Sequence, residues 1–150
     1  MTEQTLKQSI QSAVKDAMKG RQKERVAALR LIMSDIKRIE VDERIEVDDA
    51  RLLVILDKML KQRRESHAQY ETAGRSDLAQ TEAYAMGVIQ EFLPAALSAE
   101  AIDLIIDKAI AQSGAATVKD MGAVMSLVKP QVQGRADMSA VSRQIKQRLA

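Results

Sequence analysis

The chain has 150 residues, 46% of them hydrophobic and 29% charged, which is enough apolar material to bury a core as one domain or two small ones. Its formal net charge of +2 is too small to announce a nucleic-acid binder, and the lack of cysteine excludes disulfides, thiolate metal sites and a cysteine nucleophile. Tyr70, Tyr84 and Phe92 are the only aromatics, so the core must be aliphatic, built from Leu, Ile, Val, Ala and eight Met, and helices suit that palette.

The elements follow in chain order. Leu6, Ile10, Ala13, Val14 and Ala17 recur at helical spacing, and Gly20 is placed to end this first helix in a left-handed conformation. Val26, Leu29, Met33, Ile36 and Ile39 repeat the pattern in a second helix that stops near Asp42-Glu43. Asp48 caps a third, striped by Leu52, Ile55, Leu56, Met59 and Leu60, turning polar at Lys61-Gln62-Arg63-Arg64 and ending at Gly74. Ser76 or Asp77 starts a fourth, carrying Leu78, Ala85, Val88, Ile89 and Phe92, until Pro94 disfavours helical geometry at Leu93.

We place the module boundary there, with an N-terminal domain over 1–94 and a C-terminal domain over 95–150. Ser98 caps a fifth helix presenting Ile102, Ile105, Ile106 and Ile110 and ending at Gly114. Thr117 and Asp120 form a capping arrangement for a sixth, with Met121, Val124, Met125 and Val128 inward and its end at Lys129-Pro130. Asp137 caps a seventh, with Met138, Val141, Ile145 and Leu149 inward and Arg143, Lys146 and Arg148 outward. No segment alternates with period two. The predicted fold is all-α: a four-helix N-terminal bundle followed by a small three-helix C-terminal module.

Chemistry-bearing motifs are scarce. His67 is the only histidine, and its helical neighbours Arg63, Arg64 and Tyr70 complete neither a metal site nor a catalytic dyad, so it reads as structural. Asp42, Glu43, Glu46, Asp48 and Asp49 lack the spacing and loop glycine of an EF-hand, and acids before a helix answer its dipole. Phosphate-binding glycine loops, the nucleophile elbow and HExxH are all missing. We therefore expect no metal, no cofactor and no catalytic residue.

Charge is unevenly spread. Met1 to Pro94 holds sixteen basic and sixteen acidic residues, and Ala95 onward holds seven basic and five acidic. Lys61, Arg63, Arg64 and Arg75 form a secondary basic cluster that Glu65 and Glu71 can partly neutralise. From Gly114 onward Lys119, Lys129, Arg135, Arg143, Lys146 and Arg148 face only Asp120 and Asp137, which makes these six the candidate contacts for RNA or another partner. In the Gly134-Arg135-Ala136-Asp137 loop, the arginine either forks a phosphate or carboxylate, helped by Lys119 and the amides after Thr117, or ties the loop together with Asp137. With no aromatic beyond Pro94, any RNA contact there rests on phosphate and shape.

Val41-Asp42-Glu43-Arg44, Lys61-Gln62-Arg63-Arg64, Ala73-Gly74-Arg75, Glu91-Phe92-Leu93-Pro94, Lys119-Asp120-Met121-Gly122 and Gly134-Arg135-Ala136-Asp137 resemble, in this order, segments of the GatB/YqeY family. The resemblance covers essentially the whole chain and implies an all-helical domain followed by a small helical tail domain. In that family the tail also closes the B subunit of the glutamine-dependent tRNA amidotransferase, where it helps engage tRNA while a kinase-like domain transfers the amide. This chain is similar to the stand-alone branch and has no room for that catalytic domain. A family label of carbon-nitrogen ligase with glutamine as amido-N-donor therefore need not describe an intrinsic activity. The resemblance implies a non-catalytic, tRNA-associated adaptor, with tRNA or a protein of tRNA amidation as partner. A protein-protein interaction module is the first alternative and a small amidotransferase-like enzyme the second. The segment Met1-Thr2-Glu3-Gln4-Thr5 lacks a basic leader, and no run is apolar enough to span a bilayer, so we expect a cytoplasmic protein with no membrane partner.

Overall fold

A computed structural model describes residues 4–150; the Met1–Glu3 part of the leader reading lies outside them. Seven α-helices and one 3-10 helix make up the regular structure, with no strand among the described residues. The chain divides into two units, one ending at Leu93 and the other running from Pro94 to Ala150.

The first unit contains α1 (Leu6–Lys19), α2 (Lys23–Glu43), α3 (Asp49–Thr72) and α4 (Ser76–Gln90). A capping box starts α1: the Gln8 amide donates to Thr5 Oγ1 at 3.1 Å, and the Thr5 amide donates to Gln8 Oε1 at 3.0 Å. Asp48 caps α3 by accepting the Arg51 amide at 2.8 Å. The apolar stripes bring Ile10, Leu29, Ile32, Ile36, Leu52 and Leu56 into full burial, each contributing roughly 1.5–3 kcal/mol. Phe92 and Leu93 pack against the same core.

Several boundaries differ from the sequence expectation. Gly20 keeps a right-handed φ of −79°, and the left-handed residue is Arg21 at +56°. The turn still closes as a Schellman motif, since the Arg21 amide donates to Met18 O at 3.2 Å and the Gln22 amide to Ala17 O at 2.9 Å. Phe92 is not on α4, which ends at Gln90. There, the amides of Glu91, Phe92 and Leu93 bond three residues back instead of four, a tightening that precedes the geometry Pro94 enforces. On α4, Ala79 is buried while Leu78 is half-buried.

The acidic stretch does more than complement the helix dipole, although Asp49 lies in the first turn of α3. Only Asp48 caps α3. Glu40 accepts both Lys7 Nζ and the Val47 amide at 2.9 Å, Asp49 accepts the Leu6 amide at 2.9 Å, and Glu43 pairs with Arg51 at 2.5 Å. These bonds tie the start of α1 to the α2–α3 connection. The Lys7 hydrogen bond first, and the Val47 amide second, hold the Glu40 carboxyl below the usual glutamate range.

The second unit contains α5 (Ala99–Ser113), the 3-10 helix Val118–Asp120, α6 (Met121–Val132) and α7 (Met138–Leu149). Ser98 Oγ caps α5 by accepting the Ala101 amide at 3.1 Å, and Gly114 ends it at φ +69°. Ile106, Val124, Val128, Val132, Val141 and Ile145 form a separate aliphatic core. Contrary to the expected stop at Lys129-Pro130, α6 continues to Val132 with Pro130 inside it. Proline removes one backbone donor, but stopping there would leave Val132, which is completely buried, outside the core.

Candidate nucleic-acid interface

The α6–α7 connection is built around Arg135. Val132 O accepts the amides of Arg135 at 2.8 Å and Ala136 at 3.1 Å, and Gly134 takes the left-handed φ of +76° that reverses the chain. Arg135 then straps this turn to the segment after Pro94. Its Nε donates to Ala95 O at 3.2 Å, and its carbonyl accepts the Leu97 amide at 2.9 Å. Asp137 caps α7 by accepting the Ser139 amide at 3.0 Å. The arginine thus joins this turn to residues 95–97, while the aspartate works on the next helix.

The turn before α6 is likewise closed from within. Asp120 Oδ2 accepts the amides of Ala116 at 2.9 Å and Thr117 at 3.1 Å, and in that order these two N–H groups hold its carboxyl below the usual aspartate range. The carboxylate thus engages the amides of Ala116 and Thr117, while the anion-donor reading concerned the amides after Thr117. Lys119 remains exposed beside it.

The cations of α6 and α7 separate into two kinds. Arg143 and Lys146 lie three residues apart on the exposed side of α7, opposite Val141 and Ile145, and Lys129 is exposed on α6. Lys119, Lys129, Arg143 and Lys146 have no ion pair among the described residues. Arg148 is exposed as expected but not free: its Nη2 lies 2.8 Å from Asp103 Oδ1, and its Nη1 pairs with Asp107. Asp103 and Asp107 stand four residues apart on α5, a spacing visible in the sequence whose pairing with Arg148 was not foreseen.

The secondary cluster is divided as well. Arg63 Nη1 lies 3.3 Å from Glu82 Oε2 across the α3–α4 pair, and Arg75 Nη2 lies 3.3 Å from Asp77 Oδ2. Arg75, more than the Leu78 amide, holds the Asp77 carboxyl below the usual aspartate range. Lys61 and Arg64 stay exposed on α3, with no ion pair among the described residues. Glu71 Oε1 lies 3.6 Å from His67 Nε2, beyond hydrogen-bond range. Among the described residues no group of three His, Cys, Asp or Glu could hold a metal ion, and no helix is long and apolar enough to cross a membrane.

The described residues form an all-helical protein with a half-buried arginine strap in its second unit. The family described as Yqey-like protein matches residues 7–149, and the chain belongs to that family. It is also 31% identical, over 85 residues, to an uncharacterized protein of Schizosaccharomyces pombe, a match spanning 57% of this chain and 69% of the yeast protein.

Proposed function

We propose that this protein is a non-catalytic, tRNA-associated adaptor of the cytoplasm, composed of a four-helix N-terminal bundle and a three-helix tail module with the boundary at Pro94. The observation that carries this reading is the charge left over in the second unit. Asp103 and Asp107 are paired with Arg148, Asp120 and Asp137 are engaged at helix starts, and the fifth acid, Glu100, stands in the first turn of α5. Lys119, Lys129, Arg143 and Lys146 consequently face solvent uncompensated, which suits a phosphate backbone. Membership of a family whose tail is shared with the tRNA amidotransferase B subunit supports RNA over other polyanions. Because the unit has no aromatic side chain, contact would be with phosphate and shape and would discriminate weakly between sequences.

Titration of tRNA at a series of salt concentrations tests this reading. Binding should weaken as salt rises, and Arg143→Ala with Lys146→Ala should flatten the dependence by roughly 0.7 to 0.9 per lost contact. Absence of binding at low salt would reject the reading. With glutamine, ATP and misacylated tRNA, the isolated chain should transfer no amide; turnover would make it an enzyme.

A second reading, the protein-interaction module, is favoured by one feature of the first unit. A groove of about 570 Å³ runs between α2 and α4, floored by Ala27, Ala28 and Ala85. Leu31 and Tyr84 stand in it 52% and 40% exposed.

A further inference from the structure

We propose that the cleft between α1 and α2 is a second RNA-binding site, holding the phosphodiester backbone through Arg30 and Lys37. The cleft encloses about 480 Å³ and is lined by Lys7 and Gln11 from α1 and by Arg30, Met33, Ser34, Ile36, Lys37 and Glu40 from α2. Three cations thus meet a single carboxylate. That carboxylate is already engaged, because Glu40 accepts both Lys7 Nζ and the Val47 amide. The other acid on this part of α2, Asp35, pairs with Arg38 at 3.7 Å. Arg30 and Lys37 are exposed and have no ion pair among the described residues; the contact of Arg30 is a weak one from Nη2 to Met18 Sδ at 3.8 Å.

Spacing selects an extended polyanion over a lone anion. Arg30, Ser34 and Lys37 recur at i, i+4 and i+7, so they form one row along α2 with a hydroxyl between two cations. Seven residues of helix span roughly 10 Å, room for more than one phosphate of a strand and more than a single small anion fills. No aromatic lines the cleft, so bases would not be read there; arginine, lysine and serine are side chains that position a backbone. This site rests on the RNA-associated reading above but uses residues of the other unit. The sequence alone did not reveal it, since sixteen acids balance sixteen bases over this region and only the fold assigns the acids to partners.

Bulk tRNA is titrated across a salt series against the native chain, Arg30→Ala with Lys37→Ala, Arg143→Ala with Lys146→Ala, and Lys58→Ala with Lys108→Ala as a charge control. Both α2 side chains are exposed, and circular dichroism establishes that helicity is kept. The α2 variant should flatten the salt dependence by roughly 1.4 to 1.8, the charge control should not, and Arg30→Lys with Lys37→Arg should restore it. Native-like binding by the α2 variant, with loss in the α7 variant, overturns the cleft and leaves the adaptor reading standing. Loss in the α2 variant alone supports the cleft and removes the C-terminal surface. No binding by the native chain overturns both. Poly-aspartate binding that needs Arg30 and Lys37, with tRNA binding unaffected by their loss, would assign the cleft to an acidic peptide and overturn the proposal.

Discussion

Arg148 Nη2 lies 2.8 Å from Asp103 Oδ1, fastening the last turn of α7 to α5 and removing one cation from the basic tail. The arginine side chain is 30% exposed, so the pair is partly screened and contributes about 0–1 kcal/mol. Arg148→Ala should therefore lower stability by under about 1 kcal/mol and leave the salt dependence of tRNA binding almost unchanged. Arg143→Ala with Lys146→Ala should do the opposite, keeping stability and flattening the slope. Denaturant melts run beside the tRNA titrations separate the two effects.

Arg135 is a strap before it is a ligand. Losing its Nε bond to Ala95 O removes a contact spanning 40 positions, with an expected cost of about 0.5–1.5 kcal/mol. Its carbonyl bond to Leu97 belongs to the backbone and survives substitution, so Arg135→Ala should loosen the turn without unfolding it. Hydrogen exchange at the Leu97 and Ala136 amides measures this. Unchanged protection at both would show that the side chain does not hold the turn.

Arg21 occupies a left-handed position at φ +56° that ordinarily favours glycine. Arg21→Gly should raise stability by about 1 kcal/mol, since the strain of a left-handed L-residue disappears while the Schellman bonds remain. Thermal or denaturant unfolding reads the gain. Gly20→Ala, at a right-handed φ of −79°, should lack the large penalty of a left-handed glycine.

Glu40 carries a pH prediction. Its folded pKa is depressed, principally by Lys7 and then by the Val47 amide, so its stabilisation is full above the unfolded value of about 4.3. That contribution fades as the pH falls through the lower folded value. Glu40→Gln should therefore be less stable than the native chain at neutral pH, and the gap should narrow on acidification below about pH 4. A gap that stays constant into strong acid would mean that the charge of Glu40 is not what joins Lys7 to Val47.

Much of the fold was legible because helix signals are local. Asp48, Ser98 and Asp137 each accept an amide two or three residues on, as their positions before an apolar run implied, and Gly74 and Gly114 end helices with positive φ. The boundaries that went astray depend on competition between local preference and burial. Pro130 argued for a stop, yet Val132 two residues later is completely buried, and the core extended the helix. Gly20 offered a left-handed residue, but the hydrogen bonds close one position later, at Arg21.

The sequence by itself determined an aliphatic, all-helical chain, because helical periodicity, capping residues and scarce aromatics are properties of neighbouring positions. It also marked Lys119, Lys129, Arg135, Arg143, Lys146 and Arg148 as candidate contacts. What only the tertiary structure decided is which charges remain uncompensated. Arg148 meets Asp103 across 45 positions, Arg63 meets Glu82 across 19, and Arg135 reaches Ala95 across 40. Ion pairing acts over a few ångströms of space, and sequence separation does not report that distance, so a count of charges along the chain cannot tell an engaged arginine from a free one.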